Sequence, residues 1–253
     1  MKFVRKNNSV TLFHLWNGVY AINRQQSEEK SDFIKTSDWL FLIKEALQSA
    51  TQMQAKEVQF RVIKEADSLE LIKEIACLGF TKKQDRIEFQ APHDQLASDE
   101  GSPIAWQAME PLGKISLLQA AELLRQVEVG DPDCDPGEDT LGTIQGYLND
   151  SVLTHGPECV QIGFYKNEPI AFIVAQVNPK TFWSRITYMG IIPTSRSLGF
   201  GKWVHRHGFQ MMREHGGKLY QGGTVLSNQR MIHLFKLHGC AELRRMQEWI
   251  YKY

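Results

Sequence analysis

The strongest chemical signal in the chain is a short run ahead of a helical pattern, Arg196-Ser197-Leu198-Gly199-Phe200-Gly201, followed by Lys202. Its two glycines let the backbone turn tightly, so that successive N–H groups aim into one concavity at a helix start. Unpaired donors and the helix dipole favour an anion there, and Arg196 and Lys202 add positive charge. The chemistry open to such a loop is to cradle a pyrophosphate. It is neither G-x-G-x-x-G nor G-x-x-x-x-G-K-[ST], the two familiar phosphate loops. A second set of residues could move protons: Tyr188 and Tyr220 on strand segments, and His205, His207, His233 and His238 on helical ones. A strand tyrosine can equally be a core or rim aromatic with a satisfied hydroxyl, and helix histidines can be packing or surface residues. The third feature is the acidic turn Asp131-Pro132-Asp133-Cys134-Asp135-Pro136-Gly137-Glu138-Asp139. It is not a calcium loop, because Pro136 stands where glycine is required and no Glu closes the twelve residues. Its acidic side chains could steer a cationic amine; a solvated loop that stabilises the next helix start is the preferred reading.

These residues need elements to hold them. Ahead of the loop runs an apolar strand, 186–192, ended by Pro193, and behind it a helix through Trp203 to Arg213. Upstream, 160–165 and 170–177 read as a hairpin about the polar turn Lys166-Asn167-Glu168-Pro169. A short strand at 104–109 precedes two helices, the first with Ile115, Leu118, Ala121, Leu124 and Val127 on one face, the second with Leu141, Ile144 and Leu148. Strands around Tyr220 and Trp249 flank a helix that starts near Asn228. The order from Ile104 is β-α-α-β-β-β-α-β-α-β, an α/β (α+β) class with a mixed, mostly antiparallel central sheet and helices on both faces. The polar segment 91–103, with two prolines and a glycine, reads as a linker between a domain at 1–90 and one at 104–253.

Composition narrows the rest. The 253 residues carry 29 Lys+Arg against 29 Asp+Glu, with 42% hydrophobic and 23% charged residues, enough to bury a core. Zero net charge argues against a nucleic-acid partner held mainly by counterion release. No apolar run approaches the roughly 20 residues of a membrane span, and the charged start does not resemble a secretory signal. Four scattered cysteines without a C-x-x-C pair predict free thiols in a reducing cytoplasm and no metal site.

A faint internal repeat runs at an offset of 160 residues. It sets Leu78-Gly79-Phe80 on His238-Gly239-Cys240, Lys6-Asn7 on Lys166-Asn167, and a helix at 42–51 on 202–211. Where the second copy has Arg196, Gly199 and Gly201, the first has Thr36, Trp39 and Phe41. Bulky side chains at the glycine positions would block backbone approach to a phosphate, so the first half reads as a degenerate copy without the ligand loop.

The loop resembles the acyl-CoA loop of the GNAT N-acetyltransferase superfamily, [QR]-x-x-G-x-[GA]. The resemblance continues in the strand Met189-Gly190-Ile191-Ile192-Pro193. It continues again in Asn228-x-x-Met231-x-x-Leu234-Phe235-x-x-x-Gly239-Cys240, like the family's N-x-x-A-x-x-L-[YF]-x-x-x-G-F helix. It implies a pantetheine arm laid along Met189, Ile191 and Ile192 like an added strand, and a pyrophosphate on the N–H groups of Arg196, Ser197, Leu198, Gly199, Phe200, Gly201 and Lys202. Asn228 would contact pantetheine, and it also suits a helix N-cap. The implied activity is acyl-CoA-dependent N-acylation, with acetyl-CoA as donor substrate, no metal, and a small-molecule or peptide amine as acceptor.

For an amine near pKa 10.4, reaching the neutral form at pH 7 costs roughly 4–5 kcal/mol, so the reaction calls for a proton path, oxyanion donors and an acid for the thiolate. Many family members place a Glu on the fourth strand and a Tyr on the last helix, where this chain has Arg185 and Phe235. Tyr220 is then the first proton-transfer candidate, ahead of Gly222-Gly223-Thr224 at an open sheet end, with Tyr188 the second. The competing function is a non-catalytic acyl-CoA-binding regulator or scaffold.

Overall fold

The structure, a computed structural model, describes residues 2–5, 8–16, 18–25, 36–63, 69–109, 114–134, 139–148 and 156–253. In chain order these form β1 (Lys2–Arg5), β2 (Asn8–Trp16), β3 (Val19–Gln25), α1 (Thr36–Gln52), β4 (Glu57–Ile63), α2 (Leu69–Cys77), β5 (Thr81–Pro92) and β6 (Ala105–Ala108). There follow α3 (Leu117–Glu128), α4 (Thr140–Leu148), β7 (Val160–Tyr165), β8 (Glu168–Val177), β9 (Trp183–Ile191), α5 (Gly201–Glu214), β10 (Leu219–Val225), α6 (Gln229–Leu237) and β11 (Ala241–Lys252). The expected order from Ile104 onward is therefore present element by element. Lys6-Asn7 and 135–138 of the acidic turn lie outside the described residues.

The chain divides into two compact units, Met1–Arg86 with Arg244–Tyr253, and Ile87–Leu243. In the first unit the strand order is β1-β2-β3-β4-β11-β5. β3 and β4 run parallel, while β1–β2, β2–β3 and β4–β11 are antiparallel. Burial alternates along β4, as expected of a strand with one covered face. Val58, Phe60 and Val62 meet Trp39, Leu42 and Ile43 of α1 and Leu71 and Ile75 of α2 in one apolar cluster.

The second unit has the order β5-β10-β9-β8-β7-β6. Its central strand β8 is buried continuously from Ile170 to Val177, because both faces are covered. Phe172 and Val174 pack with Leu124, Val127 and Ile144 of α3 and α4. Ala171, Ile173 and Ala175 join Val204, Phe209 and Phe235 of α5 and α6. The β7–β8 hairpin turns through Lys166 and Asn167 at φ 52° and 66°, the left-handed pair of a two-residue hairpin loop.

The repeat holds in the elements themselves. α2 and α6 begin 160 residues apart, as do β2 and β8, and β5 and β11. The expected boundaries do not hold. Segment 91–103 is no linker: Ala91, His93, Leu96 and Ile104 are buried, and Ala91, Leu96 and Ile104 belong to the core of the second unit. The reason is an exchange of equivalent strands. β4 pairs with β11, from the far end of the chain, and β10 neighbours β5. The last ten residues accordingly belong with the N-terminal unit, and the unit that begins at Ile87 replaces the domain expected at 104–253.

Candidate functional site

The site begins where two parallel strands part. β9 and β10 pair only at Trp183↔Leu219 and Ser184↔Tyr220. On its other side β9 remains paired with β8 as far as Ile191, and the Ile192 N–H donates to the Ile170 carbonyl at 3.0 Å. Antiparallel alternation then turns the backbone groups of Gly190 toward β8 and those of Met189 and Ile191 toward the side that β10 has left. This is an edge able to accept an added strand.

Beyond the turn Pro193–Ser195, the loop enters α5 with Ser197 at φ 65° and Gly199 at φ 82°. Among the described residues, none accepts a hydrogen bond from the backbone N–H of Ser197, Leu198, Gly199, Phe200, Gly201 or Lys202. Phe200 holds the N-cap position without a side-chain cap, so its buried ring anchors the loop while the donors stay free. A Cβ on Gly199 would meet nothing within 4 Å, whereas one on Gly201 would lie 3.3 Å from Leu234 Cδ1 of α6. Gly199 thus serves the backbone conformation, and Gly201 the closeness of two helices. Leu198 is exposed.

Arg196 is already engaged. Its Nε donates to the Ile191 carbonyl at 2.9 Å and its Nη2 to the Val127 carbonyl at 2.8 Å, tying the end of α3 to the end of β9. Lys202 is exposed and lies 5.0 Å from the Trp203 ring centre. Of the two cations read beside the loop, Lys202 is thus the exposed one, and Arg196 has two of its five N–H donors committed to the clamp.

Asn228 is the N-cap of α6, its Oδ1 accepting the Met231 N–H at 3.1 Å. Its Nδ2 donates to Asp133 Oδ2 at 2.9 Å, and the same carboxylate accepts from the Thr224 hydroxyl and, at 2.8 Å, from the Val225 N–H. Asp131, two residues earlier, accepts the Tyr188 hydroxyl at 3.1 Å. The described part of the acidic turn is thus docked on β9, β10 and α6, which corrects the preferred expectation of a solvated loop. Three donors converging on one carboxylate hold it there. Burial, with the nearby carboxylates of Asp131 and Glu128, pushes the Cys134 thiol up to about 12, so it stays protonated. Burial and the same acidic neighbours raise the Tyr188 hydroxyl far above its usual range.

Tyr220 is 1% exposed, not at an open end of the sheet. Its hydroxyl lies 3.1 Å from His205 Nε2, and His205 Nδ1 lies 2.9 Å from His238 Nδ1. The physical reason is the glycine two residues on: a Cβ on Gly222 would fall 2.8 Å from both Tyr220 Cζ and Phe235 Cε1, so Gly222 makes room for both rings on one face of β10. Burial keeps both histidines neutral, His238 falling to about 4 with help from Arg206. Arg185 donates from Nε to the Thr187 hydroxyl at 3.1 Å, and Phe235 stacks on Phe89 at 4.6 Å. Neither offers a base or a proton.

The structure thus gathers Tyr188, Met189, Ile191, Arg196 and Asn228 about the parted strands and sets Tyr220 behind them in the core. Asp131 and Asp133 do not stand out from the sequence as individual groups. One signal does point to them: Asp-x-Asp directly after a helix offers short carboxylates to neighbouring backbone, as in Asx turns. A depression of about 500 Å³ lined by Ala108, Glu158, Gln161, Met211, Glu214 and His215 lies at the opposite end of α5 from the loop.

Comparison with known proteins matches residues 120–240 to the model of the acetyltransferase (GNAT) family. No curated protein matches the chain. Among solved structures, the GCN5-related N-acetyltransferase from Sphaerobacter thermophilus is similar with a TM-score of 0.66 and 12% identity, over 97% of this chain and 76% of that one. The GCN5-related N-acetyltransferase from Kribbella flavida gives 0.65 at 10% identity, over 99% and 89%. A tandem GNAT protein from the clavulanic acid biosynthesis pathway gives 0.61 at 10% identity, over 97% and 78%. At these identities the likeness is one of fold, and it extends over both halves of the chain.

Proposed function

Residues 120–240 belong to the acetyltransferase (GNAT) family, and on that premise we propose that the protein transfers an acyl group, acetyl first of all, from acyl-CoA to an amine by direct attack on the thioester. The observation that carries this reading is the run of six N–H groups from Ser197 to Lys202, without partners among the described residues, at the start of α5. Such a row satisfies a pyrophosphate by geometry as well as by charge. The pantetheine arm then follows the free edge of β9 along Met189 and the Ile191 N–H; the expected contact at Ile192 drops out, because its N–H is given to Ile170, and the Ile191 carbonyl is held by Arg196. Asn228 keeps one amide hydrogen beyond the one given to Asp133, enough for a pantetheine carbonyl. Tyr188, whose hydroxyl donates to Asp131, is the candidate for proton transfer, and Tyr220 lies buried in the core.

Calorimetry with CoA and acetyl-CoA, followed by thiol release in the presence of small-molecule and peptide amines, tests the reading. Absence of CoA binding would end it. A non-catalytic acyl-CoA-binding role is favoured by one observation, the engagement of Arg185 with Thr187 and of Phe235 with Phe89 where family members carry catalytic groups. Turnover with any amine removes that alternative. No helix of the described residues is long and apolar enough to cross a membrane. A cytoplasmic location accords with four free cysteines.

A further inference from the structure

The acyltransferase reading leaves the base unassigned, and any assignment of one rests on that reading. Asp131 lies in the turn after α3 with its two oxygens differently engaged: Oδ1 accepts the Asp133 N–H at 2.9 Å and Oδ2 the Tyr188 hydroxyl at 3.1 Å. Tyr188 sits on the half of β9 that β10 has left. Asp133, bound to Thr224, Val225 and Asn228, fixes the other end of the turn to β10 and the start of α6. The turn therefore bridges the two strands where they diverge and holds a carboxylate at the opening. Gly190 keeps this arrangement open, since a Cβ there would lie 2.9 Å from both the Tyr188 hydroxyl oxygen and Val127 Cβ.

We propose that Asp131 is the general base of the acyl transfer, that Tyr188 passes the proton on, and that Asp133 is the positioning residue for Asp131. The amine sheds its first proton to water. Its nitrogen then forms the N–C bond at the thioester carbon while Asp131 takes a second N–H proton. The C–S bond breaks and its electron pair leaves on sulfur. The Tyr188 proton goes to that sulfur, and the proton on Asp131 replaces it. The sum is amine plus thioester giving amide plus thiol.

The groups facing Asp131 are Asp133 and Cys134 on its own turn, Glu128 at the end of α3, Tyr188 on β9 and Arg196 beyond it. Burial, and then the Asp133 carboxylate, raise the Asp131 carboxyl, opposed by the Asp133 N–H, Tyr188 and Arg196. This brings the base closer to neutrality, where a general base works best.

The test uses the full chain, acetyl-CoA, and two probe amines, putrescine and a lysine-containing tripeptide. Asp131→Asn is expected to lower kcat by about 10²–10⁴-fold with CoA affinity by calorimetry unchanged. In the unaltered chain the slope of log kcat/KM against pH steepens from about one to about two below the carboxyl's pKa, because amine and carboxyl must both shed protons. In Asp131→Asn it stays at one. Asp133→Asn lowers kcat while keeping the steeper limb, and Asp131→Glu restores part of the rate with a displaced limb. Turnover of Asp131→Asn within threefold of the unaltered chain, or retention of its steeper limb, overturns the proposal. If Asp131→Asn does not fold, Asp131→Glu and Tyr188→Phe decide, and an undisplaced limb in the first with full rate in the second overturns it. An unaltered chain that binds no CoA overturns the acyltransferase reading itself, whereas one that binds CoA but turns over neither amine overturns the assignment of the base.

Discussion

Alanine at Gly199 is a perturbation whose cost can be stated before it is measured. The residue sits at φ 82°, and a Cβ added to it meets no atom within 4 Å, so steric conflict with neighbours is absent and only backbone strain remains. An L-residue held in the left-handed region costs about 1–2 kcal/mol. That cost has two places to appear. If the loop keeps its shape without ligand, the free protein loses the whole amount, and the melting temperature falls by roughly 2–4 °C per kcal/mol for a chain of this size. If the exposed loop relaxes instead, the strain returns when CoA requires the native N–H array, and the dissociation constant rises about 5–30-fold. The two losses together should sum to about 1–2 kcal/mol, whichever way they divide. Calorimetric titration with CoA and thermal denaturation of the same preparation measure both. A Gly199→Ala protein with unchanged melting and unchanged CoA affinity would refute the assignment of this loop as the pyrophosphate site.

Three further outcomes are expected. Gly190→Ala forces a methyl against Val127 and the Tyr188 hydroxyl, so it should cost about 1–3 kcal/mol in urea denaturation and reduce turnover. Arg196→Lys cannot bond the Val127 and Ile191 carbonyls with a planar fork. It should destabilise by about 1–3 kcal/mol and weaken CoA binding as the loop loosens, and a melting curve that does not move counts against the clamp. His238 falls from 6.5 to about 4 in the folded protein, and His93 likewise. Because the unfolded chain binds these protons more readily, stability is full above about pH 6.5 and declines as pH falls toward about 4. Melting temperatures measured across that window should show the decline, and His238→Asn should flatten it.

Much of this architecture can be anticipated from residue order. The loop's place between strand and helix, the polar hairpin turn and the alternation of apolar residues are local signals, and local signals survive in a sequence. The exchange of β5 and β11 cannot be anticipated. The two strands are equivalent in the repeat, so nothing in either one's pattern says whether it lies beside β4 or β10. The docking of Asp133 is hidden for a different reason: its partners Thr224, Val225 and Asn228 are more than 90 residues away, and a short carboxylate reads the same whether solvated or anchored. Tyr220 is misplaced by sequence because its setting depends on Gly222, which reads as part of an open end rather than as space for a ring.

The exchanged strands also bear on how the chain acquires its structure during synthesis. Multidomain chains usually fold from the N-terminus as they emerge, each domain closing on itself. Here the N-terminal unit lacks β11, the partner of β4, until Arg244–Tyr253 have been made. The second unit, conversely, depends on Ile87–Pro92, made long before β10. Through most of translation β4 and β5 would expose edges awaiting partners, the condition under which nascent strands pair wrongly. The protein's yield, rather than its final stability, is where the tandem arrangement should prove most demanding.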